Sequence, residues 1–80
     1  MSLPTLYIKP GCPWCTEATT ELDRQGIKYR TVDVISDPAA FAEMQQISRQ
    51  TKAPVLNYHG DILADFGAAE LKPFLAARRK

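Results

Sequence analysis

Only two cysteines and one histidine occur among the 80 residues. A disulfide framework is therefore excluded, and so is a complete zinc site of the usual kind, which takes four ligands. Lysine and arginine together number 10 and aspartate and glutamate 9, a net charge of +1. That balance creates no field suited to gripping nucleic acid or an acidic membrane surface. No apolar run approaches the roughly 20 residues of a spanning helix, and no stretch reads as a signal peptide. Repeats and low-complexity linkers are missing too. What remains is 45% hydrophobic and 24% charged, which fits one small globular domain over residues 1–80, expected as a monomer. Met1-Ser2-Leu3 carries no weight, and Arg78-Arg79-Lys80 reads as a frayed, solvated basic tail.

Against those absences stands one dense feature, Cys12-Pro13-Trp14-Cys15. A bridge between residues this close constrains almost no chain entropy, so stability does not explain the pair. The pair lies between a short apolar strand and a helix-forming stretch. Unpaired N–H groups and the positive dipole end at the start of that helix favour negative charge. Cys12 there is the expected thiolate nucleophile, with the Lys9 charge nearby. Cys15, one turn further on the apolar face, is expected to be less exposed and to resolve the mixed disulfide. A free dithiol without a disulfide framework points to the cytoplasm.

Leu6-Tyr7-Ile8 reads as the first strand, ended by Pro10-Gly11. A helix is expected from Pro13 to about Gln25, with Cys12 at its N-cap and Gly26 as its stop. Cys15, Ala18 and Leu22 share its inner face, and Glu17, Glu21 and Asp23 its wet one. Ile27 to Val34 reads as a strand. A helix follows Asp37-Pro38, with Phe41, Met44 and Ile47 as its apolar stripe. Val55–Tyr58 and Ile62–Ala64 form a hairpin through His59-Gly60-Asp61. A last helix after Gly67 buries Leu71, Phe74 and Leu75; Pro73 implies that it starts late or bends. The order β-α-β-α-β-β-α gives an α/β fold, a four-stranded mixed sheet flanked by three helices, with a parallel first pair.

A dithiol beside a βαβ unit is the mark of a thioredoxin-like redox domain. Tyr7-Ile8-Lys9-Pro10-Gly11-Cys12-Pro13-Trp14-Cys15 resembles the glutaredoxin active-site segment. Leu22, Gly26, Tyr29 and Asp33 fall where that family carries equivalents. Ser48-Arg49-Gln50-Thr51-Lys52-Ala53-Pro54 resembles the family's Ser-Gly-Gln-Arg-Thr-Val-Pro stretch. The resemblance implies a cis Pro54 facing the dithiol and a glutaredoxin-type thioredoxin fold. It also implies Ala53 backbone pairing with the cysteinyl part of glutathione, and Lys9 and Gln50 near its glycine carboxylate. Pro13 and Trp14 would complete the binding surface. In one respect the chain departs. The family's Gly-Gly-x-Asp-Asp, which holds the γ-glutamyl end, is replaced by Ala64-Asp65-Phe66-Gly67-Ala68, leaving Asp65 as the substitute. Lys52-Ala53-Pro54-Val55-Leu56 is also similar to a run in glutathione transferase N-terminal domains.

The function expected is a thiol–disulfide oxidoreductase acting on protein disulfides or glutathionylated proteins. Glutathione would be its co-substrate, with no tightly bound cofactor. The alternatives are a glutaredoxin-like electron donor reduced by thioredoxin reductase and a glutathione-assisted iron–sulfur cluster carrier, which the stiff Pro13 disfavours. His59, in a turn, is expected to be merely exposed.

Overall fold

A computed structural model describes residues 3–78. Its elements are β1 (Thr5–Ile8), α1 (Pro13–Arg24), β2 (Arg30–Asp33), α2 (Pro38–Ser48), β3 (Val55–Tyr58), β4 (Asp61–Ala64) and α3 (Ala68–Arg78). The sheet order is β2-β1-β3-β4, with β1 parallel to β2 and the β1–β3 and β3–β4 pairs antiparallel. This is the mixed sheet and element order that the pattern predicts.

Local chemistry sets the ends. Cys12 is extended (φ −91°) and Pro13 opens α1, where its missing N–H costs nothing. Gly26 (φ +72°) closes α1 in the left-handed region, and Ile27 N–H then donates to the Leu22 carbonyl at 3.0 Å. Asp37 Oδ1 caps α2 by accepting the Ala39 and Ala40 N–H groups at 3.1 and 3.3 Å, as an N-cap aspartate should.

Strand alternation splits the core between the two faces of the sheet. Leu6 and its partner Leu56 join Ala18, Leu22, Phe66, Leu71 and Leu75 on the α1–α3 side. Tyr7 and its partner Val55 join Val34, Ala40, Met44, Ala53 and Cys15 on the α2 side. Cys15 is thus the point where the start of α1 reaches across to the opposite cluster. Burying side chains the size of Leu22 or Leu56 stabilises by about 1.5–3 kcal/mol each.

Several expectations are corrected. β2 is shorter than Ile27–Val34, because parallel pairing starts where β1 starts, at Thr5↔Arg30. The hairpin loop is only His59-Gly60, since Asp61 pairs with Tyr58; Asn57 Oδ1 accepts the Gly60 N–H at 2.8 Å. α3 starts at Ala68, directly after Gly67 as expected, so Pro73 lies inside the helix and not in its first turn. Of the α2 stripe only Met44 is fully buried; Phe41 and Ile47 pack at its margin.

Glu21 is buried rather than wet, because its carboxylate folds back to accept from Arg24 and Gln25. Those bonds, Arg24 first, hold it down to about 2. Arg78 is docked rather than frayed: Nε donates to Asp61 Oδ2 at 2.9 Å, and the guanidinium lies 3.7 Å from the Phe74 ring centroid. The rest of the expected tail, Arg79 and Lys80, lies outside the described residues, as do Met1 and Ser2. Among the described residues no helix is long and apolar enough to cross a membrane.

Candidate active site

Two segments meet at Cys12, its own turn and helix start and the loop leading into β3, and the start of α3 packs on the neighbouring Trp14. Gly11 (φ +73°) takes the left-handed turn that delivers Cys12 to the N-cap of α1. There the half-buried Sγ accepts the Cys15 N–H at 3.3 Å. Across from it, the Cys12 thiol lies 4.0 Å from the Ala53 carbonyl oxygen. Both cysteines are free thiols. Cys15 is 5% exposed. Burial first, and then its hydrogen bond to Cys12, push its thiol up to about 11. The two sulfurs therefore differ as expected: one reachable, the other protonated and covered.

The wall opposite Cys12 is a braced loop. The Ala53–Pro54 bond is cis, as the resemblance implies, and both residues are buried. The Asp65 N–H donates to the Pro54 carbonyl at 3.0 Å. Gln50 turns inward on this loop: Nε2 donates to Ser48 Oγ at 3.1 Å and to the Lys52 carbonyl at 2.8 Å, while Oε1 accepts the Lys52 N–H at 2.6 Å. Lys9 Nζ donates to the Thr51 carbonyl at 3.2 Å, tying the exit of β1 to the same loop. Lys9 and Gln50, expected near a ligand carboxylate, are thus both engaged in holding the loop. Beside it runs an open groove of about 490 Å³ with Arg49, Gln50, Lys52 and Asp65 on its walls.

A third wall, at the start of α3, brings Gly67, Glu17 and Glu70 to the expected Trp14. Trp14 is 54% exposed, and its ring covers Gly67 so closely that a Cβ there would sit 3.0 Å from the ring and 3.0 Å from Glu17 Oε1. A side chain at position 67 would crowd both groups, and Gly67 itself offers α3 no capping side chain. Glu17 replaces it from the neighbouring helix, accepting the Ala68 N–H at 3.1 Å. Glu70 reaches back to accept the Gly67 N–H at 2.8 Å, which is half of a capping box. Gly67 followed three residues later by Glu70 was a readable signal; the part played by Glu17 was not. Asp65 (φ +52°) is exposed at the edge of the open groove that Arg49 and Lys52 line.

Behind the thiols, Tyr7 is 2% exposed and donates to Glu43. Burial, then the Glu43 bond, raises it to about 12, so it stays a neutral packing group. His59 is exposed in its turn, edge-on to Tyr58. Among the described residues no cluster of three or more His, Cys, Asp or Glu is placed to hold a metal.

The family model described as Glutaredoxin matches residues 5–63. An uncharacterized glutaredoxin-like 8.6 kDa protein from the rubredoxin operon of Clostridium pasteurianum is 35% identical over 82% of this chain and 88% of its own length. A glutaredoxin of Neisseria meningitidis is 42% identical over 68% of this chain, a match spanning 65% of that protein. The solved glutaredoxin of Archaeoglobus fulgidus superposes with a TM-score of 0.82 over 94% of this chain and 87% of its own; at 18% identity the likeness is one of fold.

Proposed function

The chain belongs to the glutaredoxin family, and from that premise we propose that Cys12 and Cys15 are its redox pair, reducing protein disulfides or glutathionylated proteins. The observation that carries this reading is the asymmetry of the two thiols. Cys12 sits reachable at a helix N-cap, while Cys15 lies buried one turn behind it.

In the first step the Cys12 thiolate attacks one sulfur of a substrate disulfide. A bond forms between Cys12 Sγ and that sulfur, and the other sulfur leaves as a thiolate that takes up a proton. The Ala53 carbonyl and Pro54 form the wall along which the substrate backbone aligns, beside the exposed Trp14. Once Cys12 is tied up, the hydrogen bond and negative charge by which it raised Cys15 are gone. Cys15 then gives up its proton and attacks Cys12 Sγ, expelling the second substrate thiolate. The protein is left with a Cys12–Cys15 disulfide, two electrons poorer. Two molecules of glutathione restore the dithiol and are themselves oxidised to glutathione disulfide. In the deglutathionylation variant, a second glutathione replaces Cys15 in resolving the intermediate.

The sealed start of α3 favours one second reading, in which another dithiol system such as thioredoxin reductase regenerates the pair. In both readings the protein acts as a cytoplasmic monomer; a free dithiol suits a reducing compartment. The test is the pair of serine variants. Cys12→Ser brings disulfide reduction down to the uncatalysed background, whereas Cys15→Ser accumulates a mixed disulfide. Undiminished reduction by Cys12→Ser overturns the assignment.

A further inference from the structure

A groove of about 230 Å³ opens between the exit of β1 and the flank of α1, with Lys9, Cys12, Cys15, Thr16 and Thr19 on its walls. No residue of the Pro54 loop borders it, so a substrate lying along that loop leaves it open to water. Here the otherwise covered Cys15 meets solvent. Lys9 is half-buried, and its Nζ is tethered to the Thr51 carbonyl at 3.2 Å. Burial, then Cys12, keep the proton on Cys15; the backbone N–H of Lys9 and then its ammonium work against them. The rest of the buried cluster around Cys15 carries no charge. Val34, Ala40, Met44, Ala53 and Val55 are apolar, and Tyr7 donates its hydroxyl to Glu43 of α2.

Resting on the exchange reading above, we propose that Lys9 is the positioning residue of the resolving step, its tethered ammonium drawing the Cys15 proton out through this groove once Cys12 is engaged. With Cys12 in a mixed disulfide, its hydrogen bond and charge no longer act on Cys15. Lys9 is then the charged side chain left acting on that sulfur. A thiolate attacks and a thiol does not, so the population of Cys15 thiolate sets the pace of closure. A positive charge beside a covered thiolate counts for more than one beside a thiolate in open water. The proton passes to water at the groove mouth. Cys15 Sγ then bonds to Cys12 Sγ, the bond from Cys12 to the substrate sulfur breaks, and the departing thiolate takes up a proton from solvent. The substrate sulfur is reduced and Cys15 oxidised. The bond to Thr51 keeps the charge at the site, so bracing the loop and activating Cys15 are one arrangement.

Dipyridyl disulfide, a neutral probe, separates the two half-reactions by rapid mixing. The first thiopyridone leaves at a rate proportional to probe concentration, as Cys12 attacks. The second leaves at a rate independent of it, as Cys15 closes the pair, and this rate is followed against pH. Below the midpoint of that profile, Lys9→Met is expected to slow the second release about three- to tenfold. The midpoint moves upward, and the two profiles converge in alkali. Lys9→Arg, which keeps the charge, holds the parent midpoint. A brace for the loop alone would lower the rate at every pH and leave the midpoint in place. An unmoved midpoint in Lys9→Met therefore overturns the proposal, as does an equal movement in Lys9→Arg. Should Lys9→Met lose its far-ultraviolet helix signal, Lys9→Gln, uncharged but still a donor for the Thr51 carbonyl, decides alone by the same midpoint. Failure of the exchange reading would show separately, as a parent protein that releases only one thiopyridone or a Cys12→Ser protein that releases both.

Discussion

The two walls beside Cys12 are built in opposite ways. On the Pro54 side, side chains are spent on holding backbone: Gln50 closes three bonds within the loop and Lys9 reaches in from β1. That leaves the Ala53 carbonyl in fixed opposition to the thiol. On the α3 side, backbone donors are held by side chains: Glu70 accepts from Gly67 N–H and Glu17 from Ala68 N–H. The first wall keeps Ser48, Gln50 and Pro54 of the stretch it resembles; the second departs more widely. Thiol–disulfide exchange needs a helix-start thiolate, a covered partner thiol and an opposed backbone. All of these come from one side of the molecule, leaving the other side free to change what is admitted.

The comparison is broken most thoroughly by removing what both walls share. Leu56 is fully buried between β3 and the α1–α3 side, and Leu56→Ala is expected to cost about 2–5 kcal/mol. Chemical denaturation would show the fall in midpoint, with both walls lost in one transition. Gln50→Ala strikes only the Pro54 wall. Three bonds disappear, and a loss of about 1–2 kcal/mol follows, with slower disulfide reduction. A stable Gln50→Ala protein with full exchange rates would show that the loop needs no brace.

The smallest effect lies away from both walls. Glu21 is held well below the usual carboxylate range, to about 2, by Arg24 first and Gln25 next. A depressed carboxyl stabilises the fold above its unfolded pKa, and that contribution fades as pH falls toward the folded value. Glu21→Gln should therefore be less stable than the parent near neutrality, and the gap should close between about pH 5 and pH 2. A gap independent of pH would remove the ion pair as its cause.

The dithiol, the helix start at Pro13 and the element order were legible because each depends on neighbours in sequence. Proline and glycine fix local backbone, and alternation marks the strands. The cis bond at Ala53–Pro54 followed from resemblance, not from spacing. What escaped was long-range. Glu17 and Glu21 both sit outside the apolar stripe of α1 and read alike as wet. Only the approach of α3 shows that Glu17 caps a foreign helix, and only the side-chain geometry shows that Glu21 folds back onto Arg24 and Gln25. Pro73 offered a late start for α3, yet the Gly67–Glu70 cap places the start at Ala68 and leaves the proline inside. Arg78 read as tail until Asp61 and Phe74 met it from elsewhere in the chain.

The central claim is that Cys12 alone opens exchange and Cys15 closes it. Mixing the Cys15→Ser protein with a disulfide-bonded peptide and mapping the adduct by peptide mass tests this most directly. The account predicts one peptide per protein, disulfide-bonded at Cys12. A Cys15→Ser protein that stays unmodified, while the Cys12→Ser protein carries the peptide on Cys15, would contradict it.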